Sequence, residues 1–227
     1  MQCGLRQGGP AVNAELILIR HGETHWNRER RMQGQTDTPL SERGRAQAEA
    51  VGQRLARHPF SALYSSDLAR AWDTAAAIAR ASVTRHEIRR EPALRERTFG
   101  ILEGLTHDEM AQRYPEEHAR FNTRDPDYAV PGGESPRQFF TRSLACLENI
   151  ARAHPGECVV VVTHGLVLDT LHRAARGLPL DAKREAPLLN ASLNTFHHTL
   201  DGWREIAWGD VAHLAEVGVT RYDGKAV

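Results

Sequence analysis

The chain has 227 residues, of which 41% are hydrophobic and 26% are charged. Lys and Arg together number 29, as do Asp and Glu, so the formal net charge is zero, which argues against binding to nucleic acid through bulk charge. No apolar run approaches the roughly 18 residues of a membrane span. The three cysteines are scattered and offer neither a disulfide framework nor a zinc ligand set. We therefore expect a cytoplasmic protein without nucleic-acid or membrane partners.

The first 14 residues differ from the rest of the chain, because they are rich in Gly and Gln and lack the apolar core of a signal peptide. We interpret residues 1–14 as a flexible N-terminal extension and expect residues 15–227 to form a single domain. A monomer and a homodimer are both compatible with the sequence.

Strand-like and helix-like segments alternate along the chain, which is typical of an α/β fold with a mainly parallel sheet. The continuous apolar run over residues 16–19 predicts a buried first strand over residues 15–20. Ser41 is a suitable N-cap for a helix that runs to about Arg57. The later elements are predicted to be a strand over 60–64, a helix capped by Ser65-Ser66-Asp67, a short strand over 85–90, a helix over 136–153, a strand over 158–162 with a helix after it, and a hairpin with its turn at Asp201-Gly202.

Residues 106–136 interrupt this alternation. The segment is polar, contains Tyr114, Phe121 and Tyr128, and ends in a Pro-Gly-Gly stretch. Excursions of this length are commonly lids or binding loops. We expect an insertion of helix and loop that lies over the sheet and the active site.

Two predicted strands are each followed directly by a His-Gly pair. Arg20 ends the first strand and is followed by His21 and Gly22, and Thr163 separates the strand at 158–162 from His164 and Gly165. Ligands of open α/β sheets bind outside the carboxyl ends of the strands. We therefore expect the two histidines to meet at this edge.

Two further side chains are placed to join the histidines. Arg70 lies just inside the helix that follows the second predicted strand, and Glu96 follows the third. Guanidinium groups bind phosphate oxygens in pairs, a neutral imidazole is a competent nucleophile, and a carboxylic acid with a raised pKa can protonate a leaving alcohol. This set of groups suits phosphoryl transfer.

Five short motifs occur in order along the chain. They are Arg20-His21-Gly22-Glu23-Thr24-His25-Trp26-Asn27, Gln33-Gly34, Pro39-Leu40-Ser41-Glu42-Arg43-Gly44, Ser65-Ser66-Asp67-Leu68-Ala69-Arg70-Ala71 and Thr163-His164-Gly165. In this order they resemble the histidine phosphatase superfamily, which includes the cofactor-dependent phosphoglycerate mutases and broad-specificity phosphatases. The likeness runs from about Glu15 to Leu214.

The resemblance implies a three-layer α/β/α sandwich and a role for each matching residue. His21 would take up the phosphoryl group as a phosphohistidine, and Glu96 would donate a proton and then activate water. Arg20, Arg70 and His164 would hold the phosphate oxygens. The residues expected to contribute to the phosphate pocket are Asn27, Gln33, Gly34, Glu23, Thr24 and Gly165. No metal or other cofactor is implied, and the chain has no GxxxxGK loop.

Three functions are compatible with these motifs. Water resolves the phosphohistidine in a phosphomonoesterase, whereas a phosphoglycerate mutase that uses 2,3-bisphosphoglycerate as cofactor returns the group to a different hydroxyl. A non-catalytic phosphate-binding module would keep only the fold. Here, however, every motif position with an expected catalytic role holds a residue that is able to perform it. Residues 34–40 and 131–135 are similar to the phosphatase branch, since mutases usually carry a tryptophan directly after the glycine at position 34. We therefore expect hydrolysis of a small phosphorylated metabolite, with the mutase as the alternative.

Several residues also allow other interpretations. Glu23 and Glu103 are carboxylates that could take the role of Glu96. His21 and His25 have the spacing of helical metal ligands, but the turn after a strand need not be helical. The thiol-phosphatase spacing of Cys146 and Arg152 falls inside a predicted helix without glycines, so we interpret it as accidental. We interpret Arg28, Arg30 and Arg31 as a solvated face from which one arginine could reach a second substrate charge.

Overall fold

A six-stranded sheet forms the centre of the structure, a computed structural model that describes residues 12–219 and 221–222. Its strands and those of a two-stranded sheet are β1 (Val12–Arg20), β2 (Ala62–Ser65), β3 (Ile88–Arg90), β4 (Cys158–Thr163), β5 (Leu188–Leu189), β6 (Leu193–Thr199), β7 (Gly202–Asp210) and β8 (Arg221–Tyr222). The large sheet has the order β3-β2-β4-β1-β6-β7, and β5 pairs with β8. The first four of these strands are parallel and β6 and β7 are antiparallel, which confirms the predicted mainly parallel sheet.

The apolar sequences of β1 and β4 explain why these strands lie at the centre of the sheet. All six residues of β4 are buried, and so are the residues of β1 from Leu16 to Arg20. A strand that is apolar at every position is stable only where both faces of the sheet are covered. The two strands run in parallel register, with Ile17 beside Val160 and Arg20 beside Thr163.

The described part of the chain contains seven α-helices. They are α1 (His25–Glu29), α2 (Glu42–Leu55), α3 (Ala69–Ala81), α4 (His107–Arg113), α5 (Pro115–Phe121), α6 (Pro136–Ala153) and α7 (Gly165–Arg176). Successive side chains of a strand point to opposite faces. Ile17 and Ile19 of β1 therefore join the core formed with α2 and α3, and Leu16 and Leu18 join the core formed with α6 and α7. The expected three-layer α/β/α sandwich is confirmed, and none of the described helices is long and apolar enough to cross a membrane.

Several predicted boundaries are shifted in the structure. β2 covers residues 62–65 rather than 60–64, and β3 begins at Ile88 rather than at residue 85. β1 begins at Val12 rather than residue 15, because Ala14 pairs with His198 and is fully buried, while residues 1–11 of the predicted extension lie outside the described residues. Leu68 is the N-cap of α3 and gives no side-chain hydrogen bond, so the predicted cap over residues 65–67 is wrong. The hairpin turn consists of residues 200 and 201, since Thr199 pairs with Gly202.

The insertion over residues 106–136 contains α4 and α5 and packs with residues before it in a separate apolar cluster. Leu102, Met110, Phe121 and Val130 are buried in this cluster, which also contacts Leu166 in the first turn of α7. Because α7 begins directly after the carboxyl end of β4, the cluster lies beside the edge of the sheet where the two His-Gly pairs are found.

Candidate active site

A cavity of about 60 Å³ lies where β1 and β4 end. The predicted site residues that line it are Arg20, His21, Asn27, Gln33, Gly34, Arg70, Glu96 and Gly165. Its wall also includes Arg31, Met32, Phe99, Leu166, Arg184 and Leu188. Thus the fold brings together residues from four separate motifs and Glu96.

The backbone on both sides of His21 is fixed by neighbouring elements. The His21 amide donates to the carbonyl of Thr163 at 2.9 Å, which extends the pairing of β1 and β4 by one residue. Its own carbonyl accepts a hydrogen bond from Asn190 Nδ2 at 2.9 Å. At Gly22, a Cβ would lie 2.4 Å from the carbonyl oxygen of Gly44, so only glycine permits this close approach.

The tautomer of His21 follows from its hydrogen bond. Nδ1 lies 2.7 Å from the carbonyl oxygen of Gly22, and a carbonyl oxygen can only accept, so Nδ1 carries the proton. Burial and the positive charges of Arg70 and Arg20 hold the pKa of His21 well below its ordinary value. The ring is therefore neutral at neutral pH, and the lone pair of Nε2 is available for attack on phosphorus.

His164 lies next to His21 and is fully buried. The two ring centroids are 5.2 Å apart, and His164 Nε2 is 2.8 Å from Ser66 Oγ. Burial and the charge of Arg70 hold the pKa of His164 well below its ordinary value. Nδ1 is buried and has no hydrogen-bond partner among the described residues, an arrangement that costs free energy unless a ligand supplies the partner.

Arg70 provides a buried positive charge in the same cavity. Its Nη1 and Nη2 donate to the carbonyls of Thr36 and Gly34, while Nε is buried and without a partner among the described residues. Burial lowers the pKa of Arg70 to about 10, so the group stays protonated at neutral pH. Arg20 is held nearby by a 2.7 Å hydrogen bond from its Nη1 to the carbonyl of Leu188.

Glu96 is the carboxylate that faces this cavity. Its Oε1 accepts from the amide of Arg97 at 2.9 Å, and its Oε2 accepts from the amide of Leu166 at 3.2 Å. Burial nevertheless raises its pKa, because the cost of desolvating the charge exceeds the effect of these hydrogen bonds and of the nearby arginines. A carboxyl group with a raised pKa can act as a proton donor.

The structure does not bring Glu23 and Thr24 to the cavity wall. Glu23 is fully buried against the start of α2, where its Oε1 accepts from Ser41 Oγ at 2.8 Å. Thr24 is the N-cap of α1, and its Oγ1 also donates to Gln33 Oε1 at 3.0 Å. Both residues support the turn after β1, because their polar atoms are occupied by protein groups.

Asn27 connects that support to the cavity. Its Oδ1 accepts a hydrogen bond from the amide of Thr24 at 3.0 Å, which identifies Nδ2 as the NH₂ group of the side chain. No described residue accepts a hydrogen bond from Nδ2, so this group can donate to a ligand. Because α1 begins only at His25, His21 and His25 do not share a helical face, which removes the basis for a metal site there.

Glu103 has a structural role that the sequence did not predict. Its two carboxylate oxygens accept from the amides of Gln35, Thr36 and Phe99, and from the hydroxyl groups of Thr36 and Thr98. A Cβ at Gly34 would lie 2.0 Å from Glu103 Oε1. Glu103 therefore fixes the loop whose carbonyls hold Arg70, and neither Glu103 nor Glu23 faces the cavity as an alternative to Glu96.

Ser66, Asn190 and Arg184 were also missed as parts of this site. Ser66 holds His164, Asn190 holds the carbonyl of His21, and Arg184 lines the cavity from the segment between α7 and β5. Ser66 stands in a motif but was interpreted as a helix cap. No periodic pattern in the sequence marks the other two residues.

A family model described as the histidine phosphatase superfamily (branch 1) matches residues 16–211. The chain belongs to this superfamily. It is 41% identical over 209 residues to "Phosphoglycerate mutase-like protein 4" and 42% identical over 216 residues to "Metal-independent phosphoserine phosphatase", both from Arabidopsis thaliana. These matches cover 90% and 93% of this chain, respectively, and 89% of each relative.

Two solved structures are similar to this chain in fold and sequence. Bacillus stearothermophilus YhfR has a TM-score of 0.81 and 38% identity, with 88% of this chain and 99% of that chain covered. A mycobacterial glucosyl-3-phosphoglycerate phosphatase in complex with VO3 has a TM-score of 0.72 and 33% identity, with 86% and 98% covered. This protein is accordingly an enzyme of the histidine phosphatase type, as its motifs indicate.

Proposed function

We propose that this protein hydrolyses phosphomonoesters through a phosphohistidine on Nε2 of His21. The observation that carries the proposal is the hydrogen bond from His21 Nδ1 to the carbonyl of Gly22, which places the free lone pair on Nε2. The ring is neutral because of its burial and its two arginine neighbours. The same arginines would attract the doubly charged phosphoryl group to this nitrogen.

Several donors in the cavity or next to it would bind the phosphoryl oxygens. Arg20 and Arg70 supply positive charge, and Asn27 Nδ2 supplies a neutral donor. The buried Nδ1 of His164, which has no hydrogen-bond partner among the described residues, would donate to another phosphoryl oxygen. Preorganised charges and donors of this kind account for most of the catalysis in phosphoryl transfer.

The reaction then needs one proton donor, and Glu96 supplies it. In the first step the lone pair of His21 Nε2 attacks phosphorus, the bond to the leaving oxygen breaks, and the Glu96 proton passes to that oxygen. In the second step the Glu96 carboxylate takes a proton from water, whose oxygen attacks phosphorus as the P–N bond breaks. Inorganic phosphate leaves, and neutral His21 and protonated Glu96 are restored.

No step of this scheme uses a metal ion, since arginine and histidine supply the positive charge and the donors. One relative is described as a metal-independent phosphoserine phosphatase, which supports the same conclusion for this chain. We expect full activity in the presence of a chelator.

The mutase is the second candidate, because several relatives are named phosphoglycerate mutase or mutase-like. The loop after Gly34 favours hydrolysis. Its Gln35 stands where the mutases usually carry a tryptophan, and Gln35 Nε2 donates to the carbonyl of Glu96 at 3.2 Å.

The deciding experiment uses 3-phosphoglycerate, with and without 2,3-bisphosphoglycerate. We expect release of inorganic phosphate at a rate that the bisphosphate does not increase, and little 2-phosphoglycerate. Formation of 2-phosphoglycerate faster than phosphate would assign the mutase activity instead. Formation of neither phosphate nor 2-phosphoglycerate would favour the non-catalytic phosphate-binding module.

A further inference from the structure

Three side chains of the types that bind metal ions meet at the end of the sheet opposite the active site. Glu15 of β1 is paired with Cys158 of β4, and His58 lies between α2 and β2. Each residue offers one ligand atom, and these atoms all lie within 4.8 Å of one another. We call these three residues the Glu-His-Cys cluster. Arg20 of the active site lies at the other end of β1, about 16 Å further along the strand.

The pleat of the sheet explains why these groups meet. Cys158 and Ile17 both belong to the core between the sheet and helices α2 and α3. Glu15 is two residues before Ile17 on the same strand, so its side chain points to the same face. His58 follows α2, and its amide donates to the carbonyl of Leu55 at 2.9 Å. The cysteine spacing predicted no zinc ligand set, because the cluster draws on three separate segments of the chain.

The separation of two ligand atoms in the cluster matches the geometry of a zinc site. Cys158 Sγ lies 3.7 Å from His58 Nε2. Zinc binds a thiolate at about 2.3 Å and an imidazole at about 2.0–2.1 Å with tetrahedral angles, so these two atoms are about 3.6 Å apart when they share one ion. The Glu15 carboxylate completes a set of three after a movement of about 1 Å, which a side chain at the protein surface can make.

His197 holds the carboxylate of the cluster in place. It is paired with Glu15 across β1 and β6, and its Nε2 lies 3.0 Å from Glu15 Oε2. A carboxylate oxygen accepts, so Nε2 of His197 donates the hydrogen bond and the second oxygen of Glu15 is left for a ligand. Ligating carboxylates in metal sites are commonly held by such an outer hydrogen bond. The side chains of Glu15 and His197 are about one-quarter exposed, so an ion can enter from solvent.

The backbone around the cluster is fixed by hydrogen bonds of its own. The amide of Glu15 donates to the carbonyl of Glu157 at 2.9 Å, and the carbonyl of Cys158 accepts from the amide of Ser61 at 2.8 Å. Binding therefore requires ordering of side chains only, which lowers its entropic cost. A thiolate, an imidazole and a carboxylate together favour Zn²⁺ over Mg²⁺ or Ca²⁺, which prefer oxygen ligands.

We propose that Cys158, His58 and Glu15 bind one zinc ion, with water as the fourth ligand. The Cys158 thiol releases its proton to solvent as the bond from sulfur to zinc forms. The bound ion joins β1, β4 and the segment after α2, so its role is to stabilise the fold. It takes no part in the reaction at His21, and the inference does not depend on the proposed hydrolase activity.

Cobalt(II) tests the site, because it occupies zinc sites and gives a charge-transfer absorption band when a thiolate is a ligand. We expect one equivalent of Co²⁺ to produce this band in the metal-free wild-type protein with a phosphine reductant present, and Zn²⁺ to remove it. The described residues that line the active-site cavity include no cysteine, so cobalt bound there gives no such band. Absence of the band from the wild-type protein would leave the contact of Cys158 with His58 as a hydrogen bond only and overturn the proposal.

Two cysteine variants locate the thiolate. The band should be lost in Cys158→Ser and retained in Cys146→Ser, which replaces a buried cysteine of α6 in the core on the other face of the sheet. A band that persists in Cys158→Ser would overturn the assignment. Far-UV circular dichroism identifies a misfolded variant, and the replacements of the more exposed cluster residues then decide the question.

Zinc affinity, measured by competition with a chromophoric chelator, tests the other ligands. His58→Ala and Glu15→Gln should each weaken binding by at least about 100-fold, and loss of the outer hydrogen bond in His197→Ala by about tenfold. His25→Ala, which replaces an exposed histidine of α1, should bind zinc as the wild type does. Wild-type affinity in both His58→Ala and Glu15→Gln would overturn the proposed ligand set.

Thermal unfolding tests the stabilising role. At a zinc concentration about 100-fold above Kd, the Tm of the wild-type protein should rise by about 5–10 °C, because the ion binds only the folded state. The rise should be absent from His58→Ala. An equal rise in His58→Ala would assign the stabilisation to zinc bound elsewhere and contradict the proposal.

Discussion

Ser66 Oγ and His164 Nε2 lie 2.8 Å apart, and this contact fixes the orientation of the His164 ring. The other ring nitrogen, Nδ1, has no hydrogen-bond partner among the described residues. We expect Ser66→Ala to lower kcat by about tenfold with little change in KM, because the ring loses its orientation but keeps its donor. His164→Ala removes a donor to the transition state and should cost about 10²–10³ in kcat. Steady-state kinetics with Ser61→Ala, an exposed serine before β2, as the control should separate these effects. Equal losses of kcat in Ser66→Ala and His164→Ala would indicate that Ser66 acts on the substrate itself.

His21→Ala should abolish covalent labelling by a radioactive phosphomonoester, because the only proposed acceptor nitrogen is removed. Rapid quenching into base preserves a phosphohistidine, and brief acid treatment should remove the label from the wild-type protein. His25→Ala is the matched control, since His25 is exposed at the start of α1 and should label as the wild type does. Undiminished labelling of His21→Ala would refute the mechanism.

The pH dependence follows from the opposite shifts of two pKa values. His21 must be neutral, and its lowered pKa places the acidic fall in kcat/KM below the ordinary histidine range. Glu96 must be protonated, and its raised pKa places the alkaline fall above the ordinary carboxylate range. For an alkyl phosphate we therefore expect a bell-shaped profile whose alkaline limb disappears in Glu96→Gln. An alkaline limb that persists in this variant would assign it to another group.

Glu96→Gln should also respond to the leaving group. Hydrolysis of an alkyl phosphate should fall by about 10²–10⁴, the usual range for general acid–base catalysis. Nitrophenolate leaves without a proton, so p-nitrophenyl phosphate should still phosphorylate His21, while the missing base slows release of phosphate. Stopped-flow absorbance should then show a burst of nitrophenolate before slow turnover. Equal losses for both esters, without a burst, would argue against proton donation by Glu96.

Glu103→Gln should weaken substrate binding more than it slows the chemical step. The substitution replaces one acceptor oxygen by an NH₂ group that faces hydrogen-bond donors, so at least one of these donors loses its acceptor and the 34–36 loop is held less firmly. Arg70 depends on this loop, and KM should rise by about tenfold while Tm falls. Kinetics and thermal unfolding, with the exposed Glu116→Gln as control, check both effects. A loss confined to kcat would indicate that Glu103 takes part in the chemical step.

The fold was largely predictable because its central elements carry strong local signals. β4 is apolar at nearly every position, and its burial on both faces follows from that pattern. The helix from Pro136 to Ala153 has the predicted bounds, since Ser135 and Gln138 form a capping box at its start. The positions of His21 and Glu96 after predicted strands likewise indicated that the two residues would line one cavity.

The remaining parts of the site depend on contacts between distant segments. Ser66 was interpreted as a cap, but tertiary structure uses its hydroxyl for His164 instead. Glu103 is 67 residues from Thr36, and no spacing rule connects them. Arg184 lies in an irregular segment after α7, where neither helical nor strand periodicity directs a side chain. Such residues are found only once the chain is folded.

The hydrogen bond from the amide of His21 to Thr163 makes the nucleophile a continuation of the central sheet. A slip of β1 by one residue would send the imidazole to the opposite face, because side chains alternate along a strand. Catalytic activity therefore depends on pairing of β1 with β4 in the correct register, although the two strands are more than 130 residues apart in the chain. Turnover is a sensitive reporter of that long-range pairing, and during refolding it should return no earlier than protection of the β1 and β4 amides from hydrogen exchange.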